Sequence, residues 1–389
     1  MSNRNHIKKI VVIFLCAILI VGGIVTLVAS CTDGSLCMDI LSLLATLLGT
    51  IFIAVELRNS QVVTCCDMLI QLNNHFHDNS SIMEVYESLE KEYTKHQDVS
   101  ELWKSINDSH IAAYCTFFEN IYLLVRNKIV KMADIDSLFG YRFFLFVHNP
   151  YIQEKYILPT SSSYSEIFEL YEIWSNYRKK HSENLTVRSE FAFPKEYLKN
   201  KLYLCDKGTE KKEVAELTAK NGIKLHIQEA TFEDITEVIN LQKAVNTKLN
   251  NTDIYCPLSR EDLLESFHKD LILCVWDENQ LAAFAVVVMN RKSDRNLYKH
   301  MRSTYSFEDV ITFDAVVVDE AYRGNGIQST LIQETLQRAK KLESVKVVAA
   351  TVSPNNPHSI DNFNSCDFTN INQINAYGGL QRILYLKQV

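Results

Sequence analysis

Between Val316 and Ser329 the chain runs from an apolar strand, through a turn that carries Gly324 and Gly326, into an amphipathic helix. This order directs several backbone N–H groups at one place beside a helix N-terminus, which favours a phosphate-bearing ligand. The residues of the turn and helix start that are predicted to bind that ligand are Arg323, Gly324, Asn325, Gly326, Ile327, Gln328 and Ser329.

Length and composition narrow the classes of protein that fit. A chain of 389 residues suggests two domains, and its formal net charge of -7 argues against nucleic acid as a partner. The ten cysteines are scattered and no C-x-x-C pair occurs. We therefore expect reduced thiols of an intracellular protein, with no disulfide framework and no metal site.

The N-terminus carries two apolar runs. The first, Ile10 to Ser30, has no charged residue and is long enough to cross a bilayer core of about 20 residues. The second, Ile40 to Val55, is shorter. Basic residues flank the pair at Arg4, Lys8, Lys9 and Arg58. Because basic flanks favour the cytoplasmic side, residues 1–58 are predicted to form a transmembrane hairpin in the inner or plasma membrane, with the following domains in the cytoplasm.

A second interpretation of the first run remains open. Lys8-Lys9, the apolar stretch and the residues before Cys31 also resemble a bacterial lipoprotein signal that is cleaved ahead of that cysteine. In either case the second run would return the chain to the cytoplasm.

Residues 59–180 have a helical pattern, with apolar residues at three- and four-residue steps and a single glycine, Gly140. They are predicted to form a cytoplasmic all-α domain. The following segment, 181–222, is rich in lysine and glutamate and is predicted to be a linker.

The helical region resembles a family of membrane-anchored helical domains of unknown function. The likeness covers roughly residues 56 to 178 and rests on Phe117-Phe118-Glu119, the stretch Leu138 to Phe143, Asn149-Pro150-Tyr151-Ile152, and Trp174. It implies a scaffold or a sensor.

From Ile223 onward the pattern changes to α/β. Capping boxes at Thr231 and Ser259 predict two helix starts, and Leu271 to Met289 has the pattern of a β-hairpin. Val310 to Val318 is predicted to be a long strand. Further strands are expected at Val345 to Val352 and Arg382 to Leu386.

Residues 223–389 resemble the Gcn5-related N-acetyltransferase (GNAT) superfamily. The family's Arg/Gln-x-x-Gly-x-Gly/Ala loop is matched from Arg323 to Gln328, and Asn356 begins a second motif with Phe363 and Asp367 at the expected steps. The resemblance implies an α/β fold with a mixed central sheet and acetyl-CoA as co-substrate. It further implies that Asn356 helps to bind the co-substrate and that the strand residues Val316, Val317 and Val318 align its pantetheine arm. Gln328, Phe363 and Asp367 depart from the family pattern of small residue, tyrosine and glycine.

Transfer of an acetyl group to an amine needs a base, and two-residue alternation places Thr312, Asp314, Val316 and Val318 on one face of the long strand. Asp314 is the candidate base; alternatively it pairs with a neighbouring lysine or arginine. Because Phe363 has no proton to give, Tyr377 is the candidate acid, or else an aromatic residue that packs on the core.

Two functions follow from these patterns. The first is a membrane-tethered acetyltransferase that acts on a cytoplasmic amine, and the second is a regulatory module that senses acyl-CoA without catalysis. The acceptor is undetermined, although residues 253–257 and 293–307 are predicted to wall its cleft. The sequence also leaves a homo-oligomer open.

Overall fold

The computed structural model describes residues 34–95, 106–181, 187–205, 211–220, 222–249 and 253–389, together with positions 22, 26 and 103. The first apolar run, Ile10 to Ser30, lies outside this part of the chain except for Gly22 and Thr26. Residues 1–79 and 80–389 form two separate compact units and are described in turn.

The first unit contains one long helix, α1 (Gly34–Asp78), of 45 residues. Within the described residues, Ser42–Asp78 is the single helical stretch that is long and apolar enough to cross a membrane, by length and composition alone. The predicted hairpin is therefore not confirmed, because its first apolar run lies outside the described residues. The predicted end of the hairpin at Arg58 lies inside α1, because no glycine or proline interrupts the helix there.

The second unit begins with helices, as the sequence predicts. Its helical part consists of α2 (Ser80–Lys95), α3 (Asp108–Arg126), α4 (Met132–Val147), α5 (Ser165–Lys180) and α6 (Lys195–Lys199). Between α4 and α5 the turn Pro150–Ile152 continues into a π-helix at Gln153–Ile157. The ring of Phe143 on α4 stacks on Trp174 of α5 at a centroid distance of 4.8 Å. Gly140 leaves room for Arg178, since a Cβ there would lie 2.4 Å from its guanidinium.

The C-terminal part is an eight-stranded mixed sheet with helices on it. The strands are β1 (Lys212–Thr218), β2 (Lys224–Glu229), β3 (Leu271–Asp277), β4 (Gln280–Val288), β5 (Val310–Val318), β6 (Val347–Val352), β7 (Thr369–Ala376) and β8 (Leu380–Gln388). Their order is β1-β2-β3-β4-β5-β6-β8-β7, and β5 with β6 is the parallel pair. The helices are α7 (Ile235–Lys248), α8 (Arg260–Lys269), α9 (Ile327–Ala339) and α10 (Pro357–Ser365).

The main core lies between the sheet and helices α9 and α10, where Leu331 and Phe363 pack against strand residues such as Phe313. Both predicted capping boxes are confirmed, at Thr231 and at Ser259. β1 lies within the segment predicted as a linker, so the sheet begins eleven residues before Ile223.

Polar contacts join the helical part to the sheet part. Arg260, the first residue of α8, donates to the carbonyl of Ala192 at 3.0 Å and to the side chain of Gln153. Tyr197 of α6 hydrogen-bonds His268 of α8 at 2.9 Å. Residues of the helical part therefore contact α8 near both of its ends.

A partly buried carboxyl in this interface makes stability depend on pH. The Glu154 side chain accepts a hydrogen bond from Thr236, and burial raises the pKa of Glu154 to about 8. Between the ordinary value of 4.5 and about 8 the folded protein keeps a proton that the unfolded chain has released, so stability falls as pH rises through that window.

Glu154→Gln should abolish this loss. At pH 8 we expect the variant to be more stable than the parent by a few kcal/mol at most, since one pKa unit is about 1.4 kcal/mol. Melting temperatures from pH 5 to 9 would measure the effect, with Glu172→Gln on the exposed face of α5 as control. Parallel curves for the parent and Glu154→Gln would contradict the prediction.

Candidate active site

A cavity opens where β5 and β6 separate. The two strands pair in parallel only from Val310–Phe313 on β5 and Val347–Ala350 on β6. Beyond those residues β5 still pairs with β4, but its other edge faces a cavity of about 860 Å³. This volume falls in the range of small-molecule sites.

A β-bulge on β5 sets the position of Asp314. Val286 of β4 pairs with Ala315, whereas the next residue, Val287, pairs with Phe313, so Asp314 is the extra residue. The extra residue reverses the alternation. The prediction that Thr312, Asp314, Val316 and Val318 share one face is therefore wrong: Val316 and Val318 pack in the same cluster as Phe313, and the Thr312 hydroxyl accepts from the Leu297 amide on the other face.

Asp314 lines the cavity where β5 and β6 separate, directly after Phe313, and its side chain is only 2% exposed. Arg295 donates to it from Nη1 at 2.9 Å, so the alternative of pairing with a neighbouring arginine holds. Burial raises the pKa of Asp314 to about 6, and the Arg295 charge opposes this rise. A carboxylate with this pKa is ionised at neutral pH and is basic enough to accept a proton.

The glycine turn lies at the other end of the cavity. Gly324 and Gly326 have φ values of +80° and +75°, and a Cβ on either would meet no atom within 4 Å. Gly326 begins α9, and no side chain caps the helix there. The first N–H groups of a helix have no partner within the helix, so this end can bind an anion.

Most predicted ligand-binding residues line this cavity. They are Val316, Val317, Val318, Arg323, Gly324, Gly326, Ile327, Gln328 and Asn356. The remaining two side chains are engaged elsewhere: Asn325 accepts from the Lys220 amide and donates to the Tyr322 carbonyl, and Ser329 donates to Asn362.

Gln328, which replaces a small residue, joins α9 to α10. Its Nε2 donates to the Ser359 hydroxyl and its Oε1 accepts from Asn362, both at 2.9 Å. Because both ends of the amide are held by α10, the side chain has a structural role beside the glycine turn. Asn356 caps α10 by accepting from the Ser359 amide at 3.2 Å.

Tyr377 also lines the cavity. Its hydroxyl hydrogen-bonds Thr351 at 2.9 Å. Although 38% of the residue is exposed, desolvation of the phenol together with the nearby Asp314 charge raises the pKa of Tyr377 to about 12. The phenol is therefore protonated at neutral pH and can donate. Phe363 packs against Phe313 and Phe368 and offers no proton.

The cavity residues that were not predicted individually include Tyr255, Cys256, Arg295 and Arg382. The first three lie in the two segments predicted to wall the acceptor cleft. Arg382 is on β8, which reads as an ordinary strand, and no sequence signal marked it.

Asp367, which replaces a glycine, adopts φ +56°, a left-handed conformation that is unfavourable for a residue with a Cβ. Asp367→Gly should stabilise the protein by about 0.5–1 kcal/mol, which chemical denaturation can measure. Asp367→Ala is the matched control: it removes the carboxylate that pairs with Lys387 at 3.2 Å but keeps the Cβ, so no gain is expected. An equal gain in both variants would contradict the backbone explanation.

Among the described residues, one group of three potential metal ligands could share an ion: Glu213, Glu216 and His226 on β1 and β2. None of the three lines the cavity, and His226 already lies 3.0 Å from Glu213.

Comparison with known proteins gives the following matches. Residues 240–368 match the sequence model of the Acetyltransferase (GNAT) family. An N-acetyltransferase from Staphylococcus aureus Mu50 is 19% identical, with 42% of this chain and 98% of that chain covered and a TM-score of 0.34. Arabidopsis thaliana NAA60, solved in complex with acetyl-CoA, is 14% identical (42% and 98% covered, TM-score 0.34).

The GNAT domain of S. lividans PAT is 16% identical, with 51% of this chain and all of that chain covered and a TM-score of 0.36. No curated protein matches the chain at a significant level. On the family match, residues 240–368 form a domain of the Acetyltransferase (GNAT) family, which uses acetyl-CoA as its co-substrate.

Proposed function

We propose that the protein is a membrane-anchored acyltransferase that moves the acetyl group of acetyl-CoA to an amine of a cytoplasmic substrate. One observation carries the proposal: a single cavity contains the uncapped N-terminus of α9 at one end and the buried carboxylate of Asp314 at the other. The first suits the phosphates of the co-substrate and the second suits the proton transfer.

Co-substrate binding rests on main-chain groups. The turn from Arg323 to Gln328 would hold the pyrophosphate through its N–H groups, and the Arg323 guanidinium adds a charge-assisted contact. The edge of β5 that β6 leaves unpaired would align the pantetheine arm as an added strand does.

Acetyl-CoA supplies an acetyl thioester. The Asp314 carboxylate would take a proton from the attacking nitrogen, directly or through one water, and Arg295 holds that carboxylate in place. Tyr377 would give its phenolic proton to the departing sulfur. The nitrogen thus gains the acetyl carbon and loses a proton, and the sulfur gains a proton as the C–S bond breaks.

Calorimetry with acetyl-CoA on the full chain in detergent, followed by an assay of thiol release over a panel of amines, tests the proposal. We expect micromolar binding and release with at least one amine. Failure to bind acetyl-CoA at high micromolar concentration would refute it.

The sensor remains the second candidate because Phe363 supplies no hydroxyl and Gln328 is committed to α10. It predicts that acetyl-CoA binds normally and that no amine in the panel releases thiol.

Membrane attachment is supported by the apolar surface of α1, where Leu43 is 68% exposed and Leu47 is 53% exposed. The protein should stay in the membrane fraction after alkaline carbonate extraction, and C-terminal reporter fusions should report a cytoplasmic end. Cys31→Ser distinguishes the alternatives for the first apolar run, since only a lipoprotein would lose a fatty-acid label.

A further inference from the structure

The part of the cavity near Asp314, where the acceptor amine would bind, contains a cation without a carboxylate partner. Arg382 on β8 lines the cavity and is only 3% exposed. Among the described residues it forms no ion pair; its contacts are a hydrogen bond from Nη1 to the Gln381 carbonyl at 3.0 Å and the Tyr377 ring at 5.6 Å. A buried guanidinium with so few partners is costly unless something else neutralises it.

The other charges near this end are already matched. Arg295 contacts the carboxylates of Asp314 at 2.9 Å and Asp270 at 3.3 Å, and it lies 3.7 Å from Asp262. These carboxylates are therefore engaged by a different arginine. Within the described part of the cavity, Arg382 is the cation at this end that has no anion beside it.

The position of Arg382 favours the acceptor over the phosphates of the co-substrate. Arg382 lies 5.6 Å from the ring of Tyr377, the candidate acid, and both residues line the cavity with Asp314. The charges of Arg382 and Asp314 act on the Tyr377 hydroxyl and on the Cys256 thiol alike, which agrees with a position of Arg382 near the candidate base. The glycine turn, in contrast, follows the end of β5 at Val318, four strand residues or about 13 Å beyond Asp314.

We propose that the acceptor is a small amine that carries a carboxylate, the class of the free amino acids, with its carboxylate on Arg382 and its amine toward Asp314. The inference rests on the proposed function. A guanidinium binds a carboxylate through two parallel hydrogen bonds, and that of Arg382 also lies over the Tyr377 ring at 5.6 Å, within the range of a cation–π contact. The cavity must also hold the thioester end of the co-substrate, so a small acceptor fits the remaining volume.

Two measurements on the full chain in detergent test the proposal. The first compares thiol release with amino acids (alanine, leucine, phenylalanine, glutamate and lysine) and with their carboxamides; phosphoethanolamine tests phosphate as the anion. The second measures, by calorimetry on CoA-loaded protein, the binding of the N-acetyl derivatives of the same amino acids and of their amides.

At least one amino acid should be preferred over its amide by about 10- to 100-fold, the range for hydrogen bonds to a charged group. Arg382→Gln should remove that preference and leave acetyl-CoA affinity unchanged. Arg302→Gln is the matched control, because Arg302 lies over Tyr298 at the same 5.6 Å but is exposed and outside the cavity. It should behave as the parent.

The outcomes distinguish the proposal of acetyl transfer from the proposal that the acceptor carries a carboxylate. Thiol release without a carboxylate preference would overturn the acceptor class and leave acetyl transfer standing, and a preference for phosphoethanolamine would overturn the carboxylate. Arg382-dependent binding of N-acetyl amino acids without any thiol release would support the carboxylate site and refute catalysis. Equal binding of acids and amides, together with equal release, would overturn the inference outright.

Discussion

Gly326→Trp should raise the dissociation constant for acetyl-CoA by about 100-fold or more. The backbone at Gly326 has φ +75° and opens onto empty space in the cavity, so a tryptophan side chain would occupy the volume that the phosphates need. Hydrogen bonds to a charged group contribute about 1.5–3 kcal/mol each, so loss of two accounts for this magnitude. Calorimetry with acetyl-CoA measures the effect.

Gly222→Trp is the matched control for backbone strain. Gly222 has a similar φ of +84° and equally open surroundings, but it does not line the cavity. It should lower the melting temperature about as much as Gly326→Trp and keep parental affinity. Equal affinity of the two variants would show that the glycine turn is not where the co-substrate binds.

Asp314→Asn should reduce turnover by about 100-fold or more, the usual contribution of a general base, while acetyl-CoA affinity stays nearly unchanged. An asparagine has the same shape as the aspartate but cannot accept the proton. Steady-state kinetics with the best amine from the panel, alongside calorimetry, would measure both quantities. Asp309→Asn is the control and should keep full turnover, because Asp309 directly precedes β5 and is ion-paired with Lys346.

The pH dependence of kcat/KM is a second test of Asp314 as the base. A base must be ionised to act, so kcat/KM should rise with pH up to about 6, the pKa to which burial raises Asp314, and then level off with respect to this group. Arg295→Gln should move that rise to higher pH, because the arginine opposes the shift. An unchanged turnover in Asp314→Asn would reject the assignment.

The central strands were predictable because they are buried on both faces. The sequence pattern of Val310 to Val318 predicts β5 at its observed bounds, and the hairpin of β3 and β4 was placed within one or two residues. β1 and β7 were missed for the opposite reason. Both are outer strands whose residues are mostly exposed, so charged and amide side chains replace the alternation that marks a half-buried strand.

The part of the site that depends on backbone conformation, the glycine turn, was predictable from the sequence. The part that depends on the register between β4 and β5 was not. The glycine turn is recognisable in the sequence because Gly324 and Gly326 are residues that tolerate positive φ. The bulge at Asp314 carries no such residue, so simple alternation misassigned the faces of β5. The sequence of β8 does not identify Arg382 as a site residue. Its candidate role depends on tertiary contacts: it lies over Tyr377, and Arg295 already pairs with the nearby carboxylates.

The early start of the sheet limits how this protein can be dissected. A fragment that begins at Ile223 lacks β1, and β2 would then become an open edge whose unpaired N–H and C=O groups invite association between copies. Such a fragment would also lose the two acceptors of Arg260, leaving a guanidinium without its partners at the start of α8. The transferase domain should therefore not be cut out at Ile223. Low stability or aggregation of such a fragment would be caused by the truncation and would say nothing about the activity of the full protein.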